Sequence, residues 1–138
     1  MKQKEIAIVH FNTPELTEAA IRSVRKHCLT DYHFTILDNS DKRPFKKKMR
    51  GVKVIDNTKG QVIDFEAELA KYPDKEWNMA KLSNHGSMKH IWSVQKLWEL
   101  LPDGFILLES DVLITKNFDF LWDETFAACG KVERFHGR

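Results

Sequence analysis

Apolar and polar positions alternate along this chain in blocks that read as elements. Ile6 to Val9 is a short continuous apolar run, suited to a strand buried on both faces. Then comes NTPEL, where Thr13 can cap a helix, Pro14 suits its first position and Glu15 favours the positive end of its dipole. Leu16, Ala20, Val24 and Cys28 recur at intervals of four, which predicts a helix over 14–28 with one buried stripe. Phe34 to Leu37 predicts a second strand, ending at the turn-forming DNSD, and Val52 to Ile55 a third. Strand, helix, strand at this spacing is a βαβ unit with parallel strands.

The second half is less regular. Val62, Phe65, Leu69 and Tyr72 keep a helical spacing until Pro73. Residues 74–86 are polar and show no clear element. Ile91, Val94, Trp98 and Leu101 mark a helix over about 87–101, closed by PDG. FILLE predicts a further strand, Phe118 to Trp122 one or two helical turns, and Phe126 to Val132 another strand. The expected fold is a single three-layer α/β/α domain over 1–138 with a mostly parallel sheet, and no repeat or linker divides it.

Composition narrows the partners. The chain has 138 residues, 42% hydrophobic and 30% charged, and a net charge of +2, so no global field demands a nucleic acid. Cys28 and Cys129 match neither a zinc spacing nor a disulfide framework and are expected as buried thiols. The basic start is followed by too short an apolar stretch for a signal peptide, and no membrane span is visible. A cytoplasmic protein is expected. Seven Lys or Arg lie between 42 and 53. They read as a solvated loop or as a contact with anionic lipid at the inner face of the membrane or with a polyanionic acceptor. The interleaved aromatics of single-strand binders are reduced to Phe45, which argues against nucleic acid.

The chemistry gathers at the predicted strand ends: His10-Phe11-Asn12, Asp38-Asn39-Ser40 and Glu109-Ser110-Asp111. In parallel sheets ligands sit outside the carboxyl ends of the strands. Glu109 and Asp111 flank one residue at the end of a buried run, where two carboxylates can face one hard cation, Mg²⁺ or Mn²⁺, or form a solvated acidic turn. By themselves Phe11 reads as a core residue and Asn39 as a turn cap. The dinucleotide fingerprint, the P-loop and the nucleophile elbow are missing.

IAIVHFNTPELTEAAIRSV, FTILDNSD, NHGS before a helix and FILLESDVLI, in this order, resemble the nucleotide-sugar-binding half of GT-A glycosyltransferases of the family-2 type. The resemblance covers most of residues 5–125. It implies a transferase, or its donor-binding half, that uses a metal-bridged nucleotide-diphosphate sugar to glycosylate a polysaccharide or lipid-linked acceptor. By the resemblance Phe11-Asn12 packs on the nucleobase, and Asp38-Asn39 reads its edge, which favours UDP- or dTDP-sugars. Asn84 and Gly86 lie beneath the donor, and Lys81 is near the phosphates. Glu109-Ser110-Asp111 takes the place of the family's Asp-x-Asp, with Asp111 on the cation and Glu109 facing ribose or completing the metal shell through water. Glu at the first position departs from the pattern, as do Lys89 and His90 at the helix start. The acceptor half and the catalytic base have no counterpart here, so the base is not assigned. The resembled Rossmann-like fold continues past this point, so an incomplete fold with marginal stability or association into a homo-oligomer is expected, with Trp92, Trp98 and Trp122 as partly exposed apolar surface that the missing half or a second copy would cover. Alternatives are a donor-binding domain without turnover and a polyanion-binding module.

Overall fold

A computed structural model of the chain describes residues 3–71 and 86–122. Within them, β1 (Glu5–His10), α1 (Pro14–His27), β2 (His33–Asp38), β3 (Val52–Asp56), the short α2 (Phe65–Leu69), α3 (Gly86–Leu100) and β4 (Ile106–Leu107) follow in order, then a 3-10 turn at Asp119–Leu121. The four strands form one sheet of order β3-β2-β1-β4, and every pair is parallel. This is an α/β fold. The residues of the expected helix end at 72–73, of the irregular stretch before α3 and of the expected strand at Phe126 to Val132 lie outside the described residues, as does Cys129.

Alternation along the strands divides the core between two faces. Ile6, Ile8, Phe34 and Ile36 pack with Ala20, Ile21 and Val24 of α1, while Ala7 and Leu37 pack with Trp92 and Leu97 of α3. α1 and its C-cap bury the expected Ala20, Val24 and Cys28 and depart from the expected stripe only in the first turn, whereas the stripe of α3 lies one step away from the expected one. Leu16 stays exposed and Thr17 is buried in its stead, because its hydroxyl meets His10. Ile91 and Trp98 are exposed, whereas Trp92 and Ser93 face inward. Trp92 stacks on Phe65 with 6.0 Å between centroids, and Trp98 lies edge-on to Phe105. Of the three tryptophans expected to be partly exposed, Trp98 is exposed and Trp122 half-buried, whereas Trp92 is buried. Thr13 occupies the N-cap position of α1, but its hydroxyl makes no capping bond. Cys28 is a buried free thiol, and burial pushes its pKa up.

Two connections position the site. Residues 39–51 join the parallel strands β2 and β3 without a helix, although such crossovers usually contain one. Phe45 substitutes for the missing helix by entering the core edge-on to His10, with 5.7 Å between ring centroids. After β4 the chain runs back across α1. Ile114 N–H donates to Ser23 Oγ at 2.9 Å, and Asp119 accepts from the N–H groups of Leu29 and Thr30 and from the Tyr32 hydroxyl at 3.0, 3.3 and 2.7 Å.

Burial of Asp119 opposes its ionisation, but these donors outweigh it and hold its pKa below the ordinary 3.8. A depressed carboxylate pKa stabilises the fold above the unfolded value, and the gain disappears as pH falls through the folded one. Replacing Asp119 by Ala should cost about 1–3 kcal/mol at neutral pH, with partial exposure keeping it toward the lower figure. Urea melts of parent and variant should converge as the pH falls below 3.8. A difference that persists unchanged in acid would assign the loss to packing rather than to the charge. Among the described residues no helix is long and apolar enough to cross a membrane.

Candidate functional site

The strand order reverses direction between β1 and β4: the chain moves from β1 outward to β2 and β3, then returns to β1's other side with β4. In open parallel sheets such a switch point leaves a crevice at the carboxyl ends, because the connections diverge to either side. Here its two sides are the turn after β1, with Phe11 and Asn12, and the turn after β4, with Glu109, Ser110 and Asp111. α3 provides the third side through its first turns. Ser93 Oγ accepts from Asn39 Nδ2 at 2.8 Å, the Lys89 charge reaches Asp41, and His90 Nε2 stands 3.4 Å from Glu109 Oε1.

The turn after β1 is held in an unusual conformation. Asn12 has φ +56°, in the left-handed region that Asn tolerates better than most residues. Its N–H donates to Ser40 Oγ, its Oδ1 accepts from the backbone N–H groups of Lys42 and Arg43, and its Nδ2 donates to Asp41. The Asn12 amide thus fastens the crossover loop to β1. Phe11 is left pointing outward at 55% exposure, as a stacking surface needs and a core residue would not. The Asn12 amide and the nearby cations keep the Asp41 carboxyl below its ordinary pKa.

Asp38 is enclosed at 1% exposure, and its two oxygens accept from the N–H groups of Ser40 and Phe45 at 2.9 and 2.8 Å. Asn39 is similarly engaged: Oδ1 accepts from Asn57 Nδ2 at 2.8 Å, and Asn57 in turn caps the N–H groups of Val62 and Ile63. Asp38 borders the groove beside the crossover loop, with Phe45, Lys46 and Asp56. At 1% exposure Asp38 has no open edge for a base, whereas Asn39 is half-buried and each of its amide atoms can make a bond beyond its present one.

Glu109 and Asp111 are exposed, and the turn between them is closed by the Val112 N–H donating to Glu109 C=O at 3.3 Å. Among the described residues no group of three His, Cys, Asp or Glu could hold a metal ion. Two exposed carboxylates on one turn still fit part of a hard cation's oxygen shell, with the remainder left for a ligand's own oxygens. Gly86 opens α3, and a Cβ there would meet nothing within 4 Å, so the described residues leave room for a ligand to approach its backbone. Lys81 and Asn84 lie outside the described residues.

Sequence reasoning left His10 without a role. It is fully buried, with Nδ1 2.6 Å from Thr17 Oγ1 and Nε2 3.4 Å from the Arg43 carbonyl. It therefore ties β1, α1 and the crossover together beneath Phe11. Its signal was its period: His10 is two and four residues beyond Ile8 and Ile6, and shares their face. Comparison with protein-family models, curated proteins and solved structures finds no match to this chain.

Proposed function

We propose that the crevice between β1 and β4 binds a nucleoside-diphosphate sugar, and that the chain is a glycosyltransferase or its donor-binding part. The observation that carries this reading is the juxtaposition at the switch point: an outward aromatic on one side and two exposed carboxylates on the other. The order of sequence segments that resembles the GT-A family adds to it.

In this reading Phe11 stacks on the nucleobase, since every base offers a π-face. Asp111 supplies a ligand oxygen to a divalent cation, Mg²⁺ or Mn²⁺, which would also take oxygens from the diphosphate and would stabilise the charge that develops when the sugar leaves. Lys89, whose ammonium lies 5.6 Å from the centroid of the Phe65 ring, would swing from there to add positive charge near the phosphates. Asn12 acts indirectly by keeping Phe11 turned outward.

Calorimetric titration of UDP, TDP and GDP sugars with Mn²⁺, and again with chelator, tests the reading. Binding that depends on the cation is the expected result. Equal affinity with and without chelator would reduce the acidic pair to a solvated turn. Release of free nucleoside diphosphate from the bound donor would separate a transferase from a donor-binding domain without turnover.

The crossover supports a second contact. Lys46, Lys47, Lys48 and Arg50 line an open groove whose floor includes Val52 and Val54. Glu15 pairs with Arg43, and Glu18 with Lys47 at 2.8 Å, so part of this charge is already met. Phe45 is buried and has no face to offer a base, which disfavours a single-stranded nucleic acid. An anionic lipid surface or a polyanionic acceptor fits better. Sedimentation with vesicles containing anionic lipid should be lost when Lys46, Lys47 and Lys48 are all changed to Gln, and should weaken with salt. Retention of the triple variant on the vesicles would end this reading while leaving the crevice untouched.

A further inference from the structure

The basic groove of the crossover runs along a sheet edge. β3 closes the order β3-β2-β1-β4 on one side, so among the described residues its outer side pairs with no strand. Its inner side is set by the ladder. The Phe34 N–H donates to the Gly51 carbonyl at 2.8 Å and the Asn57 N–H to the Asp38 carbonyl at 2.9 Å, in a register that sets Ile36 beside Val54. Along a parallel strand alternate residues bond to opposite sides. Gly51, Lys53, Ile55 and Asn57 therefore direct their backbone at β2, and Val52, Val54 and Asp56 direct theirs outward. The latter three also line the groove. The Met49 carbonyl accepts the Val52 N–H at 3.2 Å, while Val54, in the middle of the edge, presents both N–H and C=O. The crossover has no helix to lay over this part of the sheet, and Val54 stays 37% exposed.

We propose that this edge takes an extended acidic peptide of a partner protein as an added strand, its backbone paired with Val54 and its carboxylates on Lys46, Lys48 and Arg50. The inference is independent of the nucleotide-sugar reading, and it commits the groove to one anionic partner. Charge selects that partner. Lys47 is met by Glu18, but Lys46 and Lys48 are exposed and form no ion pair among the described residues, and Arg50 reaches Asp31 only at 3.9 Å between two well-exposed side chains. The same charge opposes the pairing that open edges otherwise risk. Two copies of this edge would set the exposed Lys46, Lys48 and Lys53 against their like, which is how natural edges resist self-association. An acidic strand meets no such repulsion until it reaches Asp56, whose carboxylate is held by the Thr58 N–H and hydroxyl and marks the end of the groove that calls for an uncharged residue. A lipid surface could use the lysines, but it has no strand to offer the Val54 backbone.

The test titrates the full chain with a short fluorescent peptide of alternating Glu and Val, and with two versions of it N-methylated at alternate amides, one for each side of the extended peptide. The unmodified peptide should bind, and more weakly as salt is added. One methylated version should lose about tenfold in affinity while the other matches the unmodified peptide, because only one side of an added strand meets β3. Lys46→Gln combined with Lys48→Gln should weaken the peptide about fivefold. Val54→Pro removes the outward N–H and no bond to β2, so it should cost about tenfold. Hydrogen exchange on the parent guards against a folding defect in that variant: the peptide should protect the Val54 amide and leave those of Lys53 and Ile55, which already face β2, unchanged. Equal binding by the two methylated versions would make the contact one of charge alone, and an unprotected Val54 amide would place the peptide elsewhere; either overturns the proposal. A peptide that fails to bind overturns it too, and sedimentation of the chain with phosphatidylserine vesicles in that case would assign the groove to a membrane.

Discussion

Changing Asp111 to Asn should abolish cation-dependent binding of a nucleotide sugar while leaving the fold intact. Asp111 is exposed on a turn, so the substitution disturbs no packing. It keeps the side chain's size and removes its charge. Among the described residues the turn offers a cation few protein oxygens, and the other carboxylate, Glu109, lies 3.4 Å from His90. Even residues that only support a metal ligand typically cost 10–100-fold when lost, so removal of a direct ligand should cost at least about a hundredfold. Cation and nucleotide should each tighten the other's binding by the same factor in the parent. Titrations of Mn²⁺ with and without UDP measure that factor, and it should fall to one in Asp111→Asn. A variant that keeps the coupling would remove Asp111 from the site.

Asp38 predicts the opposite signature. Its carboxylate is enclosed and accepts two backbone N–H groups, so Asp38→Ala should destabilise the protein by about 3–5 kcal/mol: hydrogen bonds to a charged group are lost and two donors are left buried. For a chain of this size that lowers the melting temperature by on the order of 10–15 °C. Asp38→Asn should be nearly as harmful, because its amide would point a donor at a donor. Thermal melts followed by circular dichroism check both. If Asp38→Asn melted like the parent but no longer bound a uridine nucleotide, the residue would instead belong to the base-reading edge that its sequence position first indicated.

The two aspartates show what periodicity can and cannot tell. The strands β1 to β3 and the helix α1 were legible because period two and period 3.6 are local properties, and the polar strand ends followed from them. What the sequence pattern could not show is where a polar side chain spends its hydrogen bonds. Asp38 is claimed by Phe45, seven residues on, only because the crossover lacks a helix and folds back over the strand end. Asn12 is claimed by Lys42 and Arg43, some thirty residues away. Such partners are set by tertiary closure, and no local spacing encodes them. The α3 stripe, and the first turn of the α1 stripe, missed by one position for a similar reason: Thr17 and Ser93 are polar in sequence but gain buried partners, so Leu16 and Ile91 are left outside. The meeting of His90 with Glu109 belongs to the same class, since α3 and β4 are joined through a turn whose direction neither motif specifies.

The bonds from Asp119 to Leu29, Thr30 and Tyr32 bear on the order in which the chain assembles. They join residues 87 to 90 positions apart. Closing a loop of that length costs roughly 4 kcal/mol of chain entropy, more than the bonds themselves return, so they cannot form before the segments between them have condensed. The early nucleus should then be β1, α1 and β2, whose contacts are close in sequence, and the 114–122 segment should join last. A late-forming segment also leaves first. Substitutions at Asp119 should speed unfolding with little effect on the refolding rate, and the amides of Leu29 and Thr30 should exchange with solvent through an opening that leaves β1 and β2 protected.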